Sequence, residues 1–211
     1  MGLPNTRCYC LGIDPSLNST GLAVLTAENG KITHRRTDVI KHTSLTGLER
    51  LQDTRDRMLA FFSEHLGPTP NVVTICLEGA SHASTGRHDE LGKNRGILLL
   101  ALYEAFKVKP IEIPPARVKK FGARTGGATK KAMIAAARLR GWDIALDADD
   151  EADAAHLADL AAALQGILPP MLTRQQLEVL RDMATMIVLK PKKHKGVYHA
   201  STRSKKKIFL C

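Results

Sequence analysis

The chain has 211 residues, with 31 Lys and Arg against 21 Asp and Glu, a formal charge of +10 at pH 7. That length allows one full domain plus an extension, and 44% hydrophobic residues supply a core, which excludes wholesale disorder. No apolar run approaches the roughly 18 residues needed to cross a bilayer, and the first residues lack the charged-then-apolar build of a secretory signal. Cys8, Cys10, Cys76 and Cys211 show no CxxC spacing, which argues against a zinc site or a disulfide framework. The expectation is a soluble protein of a reducing cytoplasm, without a membrane partner.

In chain order, Cys8–Asp14 reads as a strand whose Tyr9, Leu11 and Ile13 face one way and Cys10, Gly12 and Asp14 the other. Pro15 and the following polar residues make a turn, and Gly21–Leu25 returns as a second strand. Ile32–Ile40 reads as a third strand, polar enough for a sheet edge. Leu48, Leu51, Met58, Leu59 and Phe62 keep helical spacing over 46–65. Val72–Leu77 is a short buried-type strand, followed by a polar loop to about Gly92.

The next helix holds Ile97–Leu102, apolar on every side, and so needs cover on two faces, for instance from its own sheet and a second subunit. Val108–Ile113 reads as a strand stopped by Pro114-Pro115. A glycine-rich loop, Gly122–Ala128, leads to a helix over Thr129–Arg140, and another helix covers Asp150–Gln165. Pro169-Pro170 separates it from a helical segment, Thr173–Leu189. The order predicts an α/β protein with one mixed sheet. The expected division is a domain over 1–168, a helical extension over 169–189 and a basic tail over 190–211.

Charge is unevenly placed. The tail from Lys190 to Cys211 has eight Lys and Arg and no acid, leaving 23 basic and 21 acidic residues before it. Such a run attracts polyanions without sequence preference, or is simply a solvated terminus. Arg117, Lys119, Lys120, Arg124, Lys130, Lys131, Arg138 and Arg140 form a basic block without acids, and seven acids without Lys or Arg follow over Asp143–Asp159. A basic patch beside an acidic cluster suits a metal-dependent enzyme acting on phosphates. Lys130 and Lys131 stand at a helix N-terminus, the unfavourable end for cations unless an anion binds there.

Asp14 and Glu78 each end a buried strand, where an ionised carboxylate is costly unless paired or coordinated. On the helix from Asp150, at about 100° per residue, Leu157, Leu160, Ala161 and Leu164 form a stripe. Asp150 and Asp153 fall on or beside it, Glu151 and Asp159 point elsewhere, and His156 lies at its edge. Helix capping is the competing reading of Asp150. Four acids from two strand ends and one helix start can hold two hard divalent cations, Mg²⁺ or Mn²⁺ rather than zinc. Two such ions serve in-line phosphodiester cleavage.

These residues also carry a resemblance. Leu11-Gly12-Ile13-Asp14-Pro15-Ser16 with Thr20-Gly21, Leu77-Glu78, Leu91–Gly96, Ala116–Lys119, Gly126–Lys130 and Asp150–Ala154 together resemble the RuvC-type Holliday junction resolvases and their phage RuvC-like relatives. The likeness spans about residues 10–165. It implies an RNase H-like fold, a mixed five-stranded sheet flanked by helices. It implies a homodimeric, Mg²⁺-dependent endonuclease, with two ions per site and no small-molecule cofactor, that nicks four-way DNA junctions symmetrically. The expected products carry 5′-phosphate and 3′-hydroxyl ends.

By position, Asp14, Glu78, Asp150 and Asp153 match the metal-binding catalytic acids; a frame using His156 and Asp159 is a minor alternative. Lys119 and Lys130 match DNA-contacting lysines, within a wider candidate DNA surface of Arg117, Lys119, Lys120, Arg124, Lys130 and Lys131. The region 92–106 matches the dimer helix. Many members carry a stacking aromatic after the strand-ending Glu, where this chain has Gly79-Ala80-Ser81-His82. That departure keeps a broader branched-DNA nuclease in play, beside a non-catalytic nucleic-acid-binding protein. The expected setting is the cytoplasm and nucleoid of a bacterial or phage-infected cell.

Overall fold

The computed structural model describes residues 7–80, 88–167 and 172–188. Five strands form one sheet: β1 (Arg7–Asp14), β2 (Ser19–Glu28), β3 (Lys31–Lys41), β4 (Val72–Glu78) and β5 (Ile111–Ile113), in the order β3-β2-β1-β4-β5. β1 pairs antiparallel with β2 and parallel with β4, so the sheet is mixed, as the sequence predicts. The helices are α1 (Gly47–His65), α2 (His88–Phe106), α3 (Pro115–Ala123), α4 (Lys130–Leu139), α5 (Asp149–Leu164) and α6 (Arg174–Val188). The basic tail and Ser81-His82 lie outside the described residues.

The alternation read in β1 builds two cores. Tyr9, Leu11 and Ile13 join Leu22 and Ile40 under Met58 and Phe62 of α1 and Leu98 and Leu102 of α2. On the other face, Cys10, Ala23, Leu25 and Cys76 pack under α5, with Phe121, Met133 and Ile134 beyond it. Glycine sets how closely α5 lies on the sheet. A Cβ on Gly12 would stand 2.1 Å from the Ala154 carbonyl oxygen, and one on Gly21 would stand 2.1 Å from that of Asp150. No side chain fits there, so the first turns of α5 rest directly on the strand ends that carry Asp14 and Ser19. β3 is the edge strand, with charged residues on its solvent side.

Several expectations shift. α2 begins at His88, within the stretch read as loop, with Asp89 and Glu90 in its first turn complementing the helix dipole. β5 keeps only Ile111–Ile113 of the expected Val108–Ile113. α3 was not legible, although Pro115 at its start is favourable because that N–H would have no intrahelical partner. Leu48 is 83% exposed, and α1 instead buries Arg50, Thr54, Met58, Phe61 and Phe62.

α5 is buried around most of its circumference, Asp159 included, because its alanines let neighbouring elements close in on every side. The single-stripe reading that turned Asp159 away from the interior is therefore corrected. α2 buries Asn94, Leu98, Ala101 and Leu102 and leaves Leu100 and Tyr103 half-exposed. Val179 and Met183 of α6 sit in the same core as α5.

Candidate active site

Asp14 closes β1 and Glu78 closes the neighbouring parallel strand β4, so both carboxylates emerge at one end of the sheet. α5 brings Asp149, Asp150 and Asp153 over the same end. Asp14 is held well above the usual carboxylate range by burial and then by the charges of Glu78, Asp153, Asp150 and Asp149. Glu78 is pushed up to about 7 by burial and by Asp153, against the pull of Lys119. Asp153 is pushed up to about 6, chiefly by burial, with Lys119 and Lys130 opposing Asp149 and Asp150. The four sequence-predicted acids thus share one field.

Asp150 accepts a hydrogen bond from the Ser19 hydroxyl. Oδ1 of Asp153 is buried and has no hydrogen-bond partner. A buried, unpartnered carboxylate oxygen beside further raised carboxylates would be satisfied by a bound cation, and an all-oxygen donor set suits a hard divalent ion. The donors therefore fit the metal that the sequence implies. Among the described residues no three such side chains already stand at ligand spacing, so the arrangement is a charge cluster rather than a closed cage. A cavity of about 230 Å³ opens against Asp14 and Glu78, walled by Ser16, His88, Leu91 and Arg95.

The candidate DNA-binding residues divide into groups. Lys119 lies close enough to lower both Glu78 and Asp153 electrostatically. Lys130 pairs with Asp149 across the gap between α4 and α5, and Thr129 caps α4 by accepting from the Ala132 N–H. Arg124 and Lys131 are exposed. Lys120 and Arg117 face α6, where Glu178 lies 2.9 Å from Lys120 and Asp182 lies 3.7 Å from Arg117. That helix brings counter-charges to two residues that the sequence reading left open to DNA.

Sequence reasoning missed a second buried network. Arg140 reaches Asp159 at 3.3 Å, His156 at 3.3 Å and the carbonyl oxygens of Phe121 and Gly122. The indole N–H of Trp142 also donates to Asp159, at 3.1 Å. His156 bonds the Met133 carbonyl and packs flat against Gly122, where a Cβ would approach its ring to 2.8 Å. Burial lowers His156 to about 4, so it is neutral. His156 and Asp159 are thus committed to holding α3, α4 and α5 together, and their alternative reading as ligands is not supported. Ser19, Asp149 and Asn94, whose amide donates to the Ser16 carbonyl at 2.9 Å, were also missed. Asn94 was visible only as part of the Leu91–Gly96 stretch of the resemblance, with no role given to it.

A mixed sheet in this order, with acids at the ends of β1 and β4 and the start of α5, defines an RNase H-like α/β protein with a carboxylate centre. The family model described as crossover junction endodeoxyribonuclease RuvC matches residues 10–164, and the chain belongs to that family. A Zymomonas mobilis protein named crossover junction endodeoxyribonuclease RuvC is 32% identical over 149 residues, 70% of this chain and 86% of that protein. A Rhodopirellula baltica protein of the same name is 34% identical over 141 residues, 65% of this chain and 75% of that one.

Among solved structures, Thermus thermophilus RuvC superposes with a TM-score of 0.56 at 22% identity, covering 79% of this chain and all of that one. The same protein in complex with a Holliday junction substrate gives 0.58 at 23%, covering 78% and 99%. These two likenesses support the fold. No helix among the described residues is long and apolar enough to cross a membrane.

Proposed function

We propose that the cluster of Asp14, Glu78, Asp150 and Asp153 is the nuclease centre through which this RuvC-family enzyme, a crossover junction endonuclease and Holliday junction resolvase, cuts DNA. The family is metal-dependent; our reading is that the ion is Mg²⁺, replaceable by Mn²⁺, with two ions per centre. The observation that carries it is the unpartnered, buried Oδ1 of Asp153 among carboxylates whose ionisation is opposed. When bound, divalent cations supply Lewis acidity to the phosphodiester and to the attacking water.

The chain does the rest. Asp14, set between Glu78 and the start of α5, would be among the residues that hold the ions. Glu78 and Asp153 would complete the ligand set and orient the water, and Ser19 fixes the rotamer of Asp150. Lys119 draws the backbone phosphate toward the acids and tempers their mutual repulsion. Arg124 and Lys131 extend the cationic surface along the DNA, and the tail adds sequence-independent attraction.

We further propose that two copies act together through the exposed Leu100 and Tyr103 side of α2, since a junction's two-fold symmetry asks for two centres. The working compartment is the cytoplasm, where the buried free thiols of Cys10 and Cys76 stay reduced. Cleavage of a labelled four-way junction beside a Y-fork and a linear duplex tests the substrate class. Paired symmetric nicks confined to the junction support it, and equal cutting of all three overturns it.

A further inference from the structure

A second polar cavity, of about 340 Å³, lies where the loop after β3 enters α1. Asn18, Thr43, Ser44, Thr46, Arg50 and Glu90 line it, with His42 at its base. Three features mark it as a place for an anion. First, α1 is a helix of 19 residues whose N-cap residue, Thr46, lines the cavity with Gly47 and makes no side-chain capping bond, so the helix's first N–H groups are unmet by that side chain.

Second, Arg50 is 7% exposed, and its Nε is buried with no hydrogen-bond partner, an expensive state for a guanidinium. Among the described residues its guanidinium reaches Glu90 Oε2, 3.3 Å from Nη2, a long contact to a side chain that is itself 56% exposed. Third, the wall opposite is hydroxyl- and amide-rich. Burial lowers His42, with Arg57 and Arg50 lowering it further against the pull of Asp53, 3.6 Å away.

The cavity's position relates it to the carboxylates. The His42 N–H donates to the Asn18 carbonyl at 2.9 Å, and the next residue, Ser19, bonds Asp150. Across the sheet, Asp14 pairs with Gly21 and Ser19 with Lys41, so the cavity sits two strands from Asp14. Two strand spacings are about 10 Å, and one strand of a duplex rises about 3.4 Å per nucleotide. Ser19 lies two residues from Gly21 along β2, which adds about 7 Å lengthwise, so the separation is about 12 Å, or three to four nucleotides.

We infer that Arg50 and the N-terminus of α1 form a phosphate clamp for the substrate strand, gripping a backbone phosphodiester about three or four nucleotides from the one that is cut. This rests on the nuclease reading above. Two phosphate oxygens would take the guanidinium from Glu90 as bidentate, charge-assisted acceptors, and the phosphate would meet the helix N–H groups at the same time. The clamp fixes the strand's direction over the carboxylates, so Arg50 is a positioning residue rather than a catalytic one.

The test measures binding of a labelled four-way junction by the full chain carrying Asp14→Asn, in EDTA, from 50 to 300 mM salt. Added to that background, Arg50→Gln should flatten the slope of log affinity against log salt by about one. Ser44→Glu, which removes no buried group, should do the same, and it decides the matter if Arg50→Gln does not fold. Junctions bearing a single neutral methylphosphonate, moved stepwise from the cut site, should weaken binding of the parent at one position near the third or fourth nucleotide and leave Arg50→Gln insensitive there. Unchanged slopes in the folded variants, or no position-specific loss, would overturn the clamp. A parent chain that neither binds nor, with Asp14 restored, cuts the junction would instead overturn the nuclease reading.

Discussion

Asp14 is buried beside Glu78, Asp150 and Asp153, so in the metal-free protein both desolvation and like charge oppose its ionisation. Glu78 and Asp153 are raised to about 7 and about 6 for the same reasons, and the folded chain therefore binds more protons than the unfolded one between about pH 4 and 7. Stability should be fullest below that window and fall as pH rises through it. Thermal unfolding in EDTA should show the decline, and Mg²⁺ should reverse it. Asp14→Asn should abolish cleavage while raising metal-free stability by about 1–2 kcal/mol, a trade seen where function maintains strain. A variant less stable than the parent in EDTA would contradict this. The strand-end acids were legible because an acid closing an apolar strand is costly in any fold. Ser19 and Asp149 were not, because their partners come from a distant helix. At Asp159, Ala should cost about 3–5 kcal/mol by stranding Arg140, and Asn clearly less, measured by urea unfolding.

At the scale of elements, α5 places the chemistry, and it does so by lying on bare backbone at Gly12 and Gly21. Gly12→Ala should cost about 1–3 kcal/mol, or more, through overpacking, and should lower the cleavage rate beyond what the unfolded fraction explains. A folded variant of normal rate would disconnect helix seating from catalysis. The sequence's helical stripe identified the inward acids, but it undercounted burial because alanine reads as weakly apolar while permitting close approach on all sides. α3 escaped notice because its nine residues between Pro114 and Arg124 are rich in charge. α6 was visible as a helix, yet nothing local showed that Glu178 and Asp182 would meet Lys120 and Arg117. Exposed pairs of this kind stabilise by only about 0–1 kcal/mol. Glu178→Gln with Asp182→Asn should thus leave the unfolding midpoint nearly unchanged while steepening the salt dependence of junction binding. An unchanged slope would show that those two cations do not meet DNA.

At the scale of the whole molecule, the two faces of the sheet have separate tasks. One carries α1 and α2 and ends in the half-exposed Leu100 and Tyr103; the other carries α5 with the acids and the basic helices. If α2 joins two copies, Leu100→Glu with Tyr103→Glu should halve the mass measured by sedimentation and separate the paired nicks into independent single ones. The fold was legible from alternation and strand order, because a mixed sheet with buried strand-end acids admits few arrangements. The all-round apolarity of α2 led to an expectation of cover on two faces, and its own sheet covers the side of Leu98 and Leu102 while Leu100 and Tyr103 stay half-exposed. The most direct measurement is cleavage of a labelled synthetic four-way junction by the full chain, with Mg²⁺ and with EDTA, beside Asp14→Asn. Paired symmetric nicks that disappear in EDTA and in the variant are expected. Tight binding with no cleavage in Mg²⁺ or Mn²⁺, across several junction sequences, would contradict the assignment of these carboxylates as a nuclease centre.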